Sequence, residues 1–342
     1  MNRPGLLAAA CGAAVALTVA TAVPAMADTV PTALPGGVEG AASGINDAGI
    51  TVGWTAENTG PVRATLWDAQ GKAVLLPGLA VGEYSSAAGI NNAGVVAGNA
   101  EAPDVQMHAV RWDANGAITD LALLPGARGI RVGGLNNANV VVGSAYVGDG
   151  FVKHALRWAA DGSVTDLGVP NGYANSEAVA VSDDGTVVGT AWDDTHRHGI
   201  RWNTNGTVTD LGTAAGAVSS WTGGIAADGT IVGTSQNADR KNVATRWNTD
   251  GTVTTLPTLA GGDNSGAEAV NNSGVVVGFA NASGTPSHAV RWDRDGQVTD
   301  LGVLPAGGDA FVSAISPSGR LAGTAHVPGD YRPHPIRWTA QG

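Results

Sequence analysis

Tryptophan recurs along the chain at positions 67, 112, 158, 202, 247, 292 and 338, so that successive members stand 44 to 46 residues apart. An independent series, Gly53, Gly98, Gly143, Gly189, Gly233, Gly278 and Gly323, keeps the same spacing. Two markers holding one period seven times mean that a single supersecondary unit has been copied. A unit of this size cannot bury its apolar face alone, so the copies must pack against one another in an array.

Each unit reads as four short strands. In the second, Ser86–Ile90 leads through the turn Asn91-Asn92-Ala93-Gly94 into Val95–Asn99. After a variable loop come Met107–Trp112, the turn Asp113-Ala114-Asn115-Gly116, and Ala117–Leu123. Turns that end in glycine suit hairpins in which a type I turn is closed by a left-handed residue. The segments NTNG (203–206), NTDG (248–251) and DRDG (293–296) repeat that chemistry. The flanking Val, Ile, Thr and Trp favour strands, and no helical periodicity occurs beyond the first 27 residues. The expected fold is all-β: a seven-bladed β-propeller of four-stranded antiparallel blades. The seventh unit stops soon after Arg337-Trp338, without a fourth strand. The segment Val30–Gly37 (VPTALPGG) looks like the fourth-strand segment Asp300–Gly308 (DLGVLPAGG). An N-terminal strand is therefore expected to complete the last blade, which leaves no open end of the kind a linear stack would have.

The repeated segments VNNSGVVVG (270–278) and HAVRW (108–112 and 288–292) resemble the extracellular HAF-repeat family, whose units carry a His-Ala-Phe triplet. Apolar Val110, Leu156, Ile200 and Val290 stand here where Phe is usual. The resemblance implies a secreted propeller and brings no reaction, cofactor or catalytic residue with it.

Arg3 is the sole charge in the first 27 residues, which contain an apolar run from Leu6 to Val23 and end in Pro24-Ala25-Met26-Ala27. This is the pattern of a signal peptide over 1–27, leaving 28–342 as one propeller domain in a secreted, extracellular protein. Cys11 lies within the signal, so the remaining chain has no thiol for disulfides, thiolate zinc sites or nucleophilic catalysis. Without Arg3 the chain carries 17 basic and 29 acidic groups, a net charge of −12. Such a surface repels phosphate backbones, so nucleic acid is not an expected partner; nor is a membrane once the signal is removed, and a monomer is expected.

Four residues before the tryptophans stand Arg63, His108, His154, His198, Val243, His288 and His334. Eight residues after them stand Leu75, Asp120, Asp166, Asp210, Thr255 and Asp300. Units one and five lose both members together, which suggests a hydrogen-bonded His–Asp pair fastening the outer hairpin. One histidine per blade at a common radius cannot converge on a metal. In the seventh unit His334 has Val30 at the partner position. The arginines Arg111, Arg157, Arg201, Arg246, Arg291 and Arg337 are expected to bridge neighbouring blades.

A single site on a repeating ring must be built from residues that break the repeat. The irregular loops, joining strand two to strand three and strand four to the next blade, emerge on one face around the channel mouth. Entering each inner strand, one position reads Ala41, Ser86, Arg131, Glu177, Trp221, Gly266 and Phe311. Two residues later the series is Ser43, Ala88, Gly133, Val179, Gly223, Glu268 and Ser313. The candidate ligand-binding residues are Arg131, Glu177, Trp221, Glu268 and Phe311, with Tyr84, Tyr173 and Trp192 from the loops. Aromatic faces among polar groups suit sugar rings or a protein partner. The expected function is a non-catalytic binding module for a carbohydrate or an extracellular protein. The alternative is an enzyme of lyase, hydrolase or cyclase type. There Glu177 and Glu268 would be acid and base, Arg131 would stabilise negative charge, and His196 would carry a proton. No cofactor is expected; if a metal binds, calcium on Glu177, Glu268 and loop oxygens is the type these groups suit. No nucleophile elbow, phosphate loop or HExxH motif occurs.

Overall fold

Asp113 illustrates how the repeated turns form. Its Oδ1 accepts the N–H groups of Asn115 and Ala117 at 2.8 and 2.9 Å, and its carbonyl accepts that of Gly116 at 2.9 Å. Gly116 takes φ of +83°, a left-handed conformation that glycine adopts without steric cost. The hairpin so closed joins Met107–Trp112 to Ile118–Asp120. The outer strand is shorter than the expected Ala117–Leu123. Leu121 still donates to the Ala109 carbonyl at 3.0 Å, but it then buries its side chain between blades and the chain leaves the sheet.

The structure is a computed structural model that describes residues 29–80, 84–305, 307–327 and 329–340. The signal-peptide reading of residues 1–27 lies outside the described residues. Seven four-stranded antiparallel sheets form a seven-bladed β-propeller with no helix among the described residues. Blade 1 comprises Glu39–Ile45, Thr51–Ala56, Arg63–Trp67 and Ala73–Leu75. The inner strands of blades 2 to 6 are Ser85–Ile90, Arg128–Leu135, Asn175–Val181, Ala217–Ile225 and Ser265–Val270. Blade 7 holds Ala310–Ile315, Leu321–Val327 and Asp330–Ala340, and its outer strand is Thr29–Ala33 from the other end of the chain. The two termini pair antiparallel, with Val30 opposite Thr339 and Ala33 opposite Ile336, and Leu34 donates to the Pro335 carbonyl at 2.8 Å. The expected ring closure is the observed one.

The tryptophans are interblade groups. Trp67, Trp112, Trp158 and Trp292 are fully buried. Each indole N–H donates to the chain leaving the preceding blade: Trp112 to Pro77, Trp158 to Ala122 and Trp292 to Pro257, all at 2.8 Å. Apolar clusters accordingly straddle blade boundaries, as where Val52 and Ala64 of blade 1 meet Val96, Val110 and Trp112 of blade 2. A buried serine series adds polar stitches. Ser85, Ser176, Ser220 and Ser265 accept N–H groups of Ala64, Ala155, Gly199 and Ala244 at 2.9 to 3.0 Å. The arginines reach forward to the next blade, Arg111 to the Ala160 carbonyl at 3.0 Å and Arg246 to that of Arg294 at 2.9 Å. The His–Asp pairs form in blades 2, 3, 4 and 6 with Nδ1–Oδ2 distances of 2.8 to 3.0 Å. In blade 7, His334 turns instead to Asp330, 3.4 Å away.

Every inner strand carries a β-bulge at one register position. Pairing with the second strand skips Ser43, Ala88, Gly133, Val179, Gly223, Glu268 and Ser313 in turn. Opposite each bulge stands the repeating glycine. A Cβ on Gly143 would lie 2.1 Å from the Arg131 carbonyl oxygen, and one on Gly189 only 1.9 Å from that of Glu177. The glycine series exists because the bulged backbone occupies the space a side chain would need.

Candidate functional site

The bulges push one residue per blade toward the axis, so seven residues, all small or polar except Val179, ring the channel mouth. There they line a cavity of about 920 Å³ that also receives Arg131, Glu177, Trp54 from the second strand of blade 1 and Tyr84 from a loop. The irregular loops and the cavity share one face, as the strand alternation requires.

Of the sequence-derived candidates, Arg131, Glu177, Glu268 and Tyr84 line this cavity. Arg131 is exposed, and its guanidinium forms no hydrogen bond or ion pair among the described residues. Glu177 is half-buried, with Oε2 2.8 Å from Lys153 Nζ and Oε1 4.0 Å from Arg197 Nη2. Glu268 stays accessible to water within the channel although protein closely surrounds it. Loss of bulk solvent pushes its carboxyl above the usual range. No hydrogen bond to its carboxyl forms among the described residues.

The remaining candidates lie elsewhere on the same face. Trp221 and Trp192 flank the Arg197 guanidinium, whose carbon lies 5.3 and 5.9 Å from their ring centroids. Phe311 packs edge to face on Phe279, with centroids 5.4 Å apart, and meets His326 at 6.5 Å. Tyr173 belongs to the scaffold: its hydroxyl donates to Asp210 at 2.7 Å and lies 2.9 Å from His198 Nδ1, extending that His–Asp pair. Burial and the Asp210 carboxylate push its phenol upward. His196 sits exposed in a turn whose Asp193 accepts the N–H groups of Thr195 and His196 at 2.6 and 2.7 Å. These bonds hold the Asp193 carboxyl below the ordinary range. Glu177 and Glu268 share the cavity, whereas His196 is not among its lining residues. Among the described residues no three His, Cys, Asp or Glu side chains gather as a metal would require.

Sequence reasoning missed Lys153 and Arg197. Both occupy the position just before the histidine, which reads Met107, Lys153, Arg197, Asn242 and Ser287 in blades 2 to 6. The repeat-breaking test applied one residue earlier would have found them. Arg128 was missed as well; its guanidinium lies 4.4 Å from the Phe151 ring centroid.

No protein-family model matches the chain, and no curated protein matches it in sequence. Solved structures do. A streptogramin B lyase is similar at 13% identity over 92% of this chain and 97% of its own, with a TM-score of 0.54. Virginiamycin B lyase from Staphylococcus aureus gives 14% identity, 91% and 98% coverage and a TM-score of 0.51. Puromycin hydrolase gives 14% identity and a TM-score of 0.59 over 88% of this chain and 52% of its own, so the chain spans about half its length. The likeness is one of fold. No helix among the described residues is long and apolar enough to cross a membrane.

Glu268 offers a direct test of the channel's environment. Its raised folded-state pKa means that ionisation opposes folding, so its contribution is most favourable below the unfolded pKa, about 4.3, and is lost as pH rises through the folded pKa. Glu268→Gln, which cannot ionise, is expected to raise the thermal midpoint at pH 7, with the gain vanishing near pH 4. An equal midpoint at both pH values would show that the carboxyl is fully solvated, and a lower one at pH 7 that its ionised form is stabilised by the fold.

Proposed function

We propose that the protein is a secreted, non-catalytic binding propeller that takes a carbohydrate at its channel mouth. The observation that carries this reading is the exposed guanidinium of Arg131, unpaired among the described residues and presented into a preformed concave cavity of about 920 Å³ with Trp54 and Tyr84 on its wall. That volume suits a small polar ligand rather than the flat patch a globular partner needs. Small bulge residues leave room for the ligand, the aromatics offer faces to sugar rings, and Arg131 offers paired donors to an oxygen-rich group. The signal-like N-terminus and the resemblance to extracellular repeats support secretion. Binding to an array of glycans tests the proposal. Retention of a glycan is expected, weakened about tenfold by Arg131→Ala, the loss of one charge-assisted hydrogen-bonded contact. Capture of an extracellular protein with no glycan retained would replace it.

Glu268 supports a second reading. A carboxyl raised by desolvation and without a hydrogen-bond partner among the described residues is what a general acid requires, and lyases and a hydrolase share the fold. Under this reading retained glycans would be cleaved, and Glu268→Gln would abolish product formation while sparing binding. Intact glycans after prolonged incubation decide for the binding module.

A further inference from the structure

At one register position near the loop face, the second and third strands of successive blades pair Glu101 with Met107, Tyr146 with Lys153, Trp192 with Arg197, Gln236 with Asn242, Asn281 with Ser287, and His326 with Pro333. Among the described residues only blades 3 and 4 set an aromatic ring opposite a cation there. Their side chains then connect across blade boundaries. Lys153 lies 5.7 Å from the Trp192 ring and binds Glu177, while Arg197 reaches from Trp192 to Trp221 of blade 5. On blade 3, Arg128 stacks on the exposed Phe151, whose ring meets Tyr146 at 6.5 Å. Arg131 stands on the same inner strand as Arg128, facing the cavity.

This sector thus holds four cations, Arg128, Arg131, Lys153 and Arg197, on a chain of net charge −11. Among the acids nearby, Glu177 is engaged by Lys153 and, more distantly, by the exposed Arg197, and Asp193 by the backbone of its own turn, while Asp149 and Asp194 belong to the flanking loops. Each platform couples a flat ring to a fixed positive charge. A uronic acid presents the matching pair on one unit: an apolar ring face and a carboxylate. An acidic peptide carries its aromatic and acidic groups on separate residues and would need a different spacing.

We infer that the ligand is an acidic oligosaccharide that runs from the mouth past Glu177 onto the neighbouring part of the face, with carboxylates on Arg131 in the cavity and Arg197 outside it and sugar faces on Trp192 and Trp221. This assignment rests on the carbohydrate reading above and makes it specific. Calorimetric titration with an oligogalacturonate, a neutral cello-oligosaccharide of equal length and an aspartate-rich peptide tests it. The uronate is expected to bind at least about tenfold more tightly than the neutral chain, and to lose that advantage in about 0.5 M salt. Arg131→Ala and Arg197→Ala should each weaken the uronate at least about tenfold and by more than they weaken the neutral chain, and Arg197→Lys should restore part of the loss. Equal affinity for both sugars, unchanged uronate binding in the variants, or preference for the peptide would overturn the inference. Neutral-sugar binding without preference would sink the acidic assignment and leave the carbohydrate reading standing. No sugar binding at all would remove both.

Discussion

Deletion of residues 29–35 is expected to lower the unfolding free energy by more than about 4 kcal/mol, the loss of a buried leucine plus an orphaned buried donor. The strand Thr29–Ala33 is the outer strand of blade 7, hydrogen-bonded to Asp330–Ala340, and the chain runs from it directly into the first blade. Leu34 behind it is buried against blade 1 beside Trp67, and the Pro35 carbonyl accepts the Trp67 indole N–H at 2.6 Å. Removing them exposes the edge of Asp330–Ala340 as well, a template for pairing with a second chain. Urea denaturation should show an earlier and broader transition, and the truncated protein should aggregate. A peptide of sequence TVPTALPGG supplied in excess is expected to recover part of the loss. A transition identical to that of the intact protein would mean that the ring is held by blade packing alone.

The second large effect concerns the bulges. Gly143→Ala places a methyl group 2.1 Å from the Arg131 carbonyl oxygen, far inside contact distance, and the obstacle is backbone that cannot swing away. A cost of about 3 kcal/mol is expected, the upper range for overpacking in a close-packed interior. Because the bulge itself must shift, Arg131 should move and ligand affinity should fall with stability. Gly206→Ala is the control: its backbone is left-handed, but nothing lies within 4 Å of the added carbon, so about 1 kcal/mol is expected. Equal costs at the two glycines would refute the claim that close approach, rather than backbone conformation, conserves the spacing of the series.

The architecture was legible because its determinants are local and repeated. Trp67 to Trp338 and Gly53 to Gly323 mark the period, the Asp and Asn turns mark the hairpins, and the paired loss of histidine and aspartate in units one and five marks the cross-strand contact. The bulge left a trace only in the glycine opposite it, since nothing in Ser43 or Glu268 as residue types announces an unpaired backbone position. Candidate residues on the inner strands were reachable by the same periodic bookkeeping, and Arg131, Glu177 and Glu268 do meet in one cavity. What failed was side-chain direction in the loops. Tyr173 looks like a free aromatic in the sequence, yet its hydroxyl finishes in the His198–Asp210 pair. Trp192 and Trp221 come from different blades, and only the fold shows that Arg197 lies between them.

The seven bulges sit at the same register in every blade, and the backbone there is fixed by a glycine on the neighbouring strand rather than by the side chain that the bulge displays. Form and content are thereby uncoupled at the hub. Five sectors work as writable addresses, where serine, alanine, valine and glutamate stand on one frame, whereas a Cβ on Gly133 or Gly223 would lie 2.5 to 2.6 Å from carbonyl oxygens of the next blade and closes those two. A lineage carrying this scaffold could exchange one recognition alphabet for another by a handful of point changes, leaving its folding code untouched.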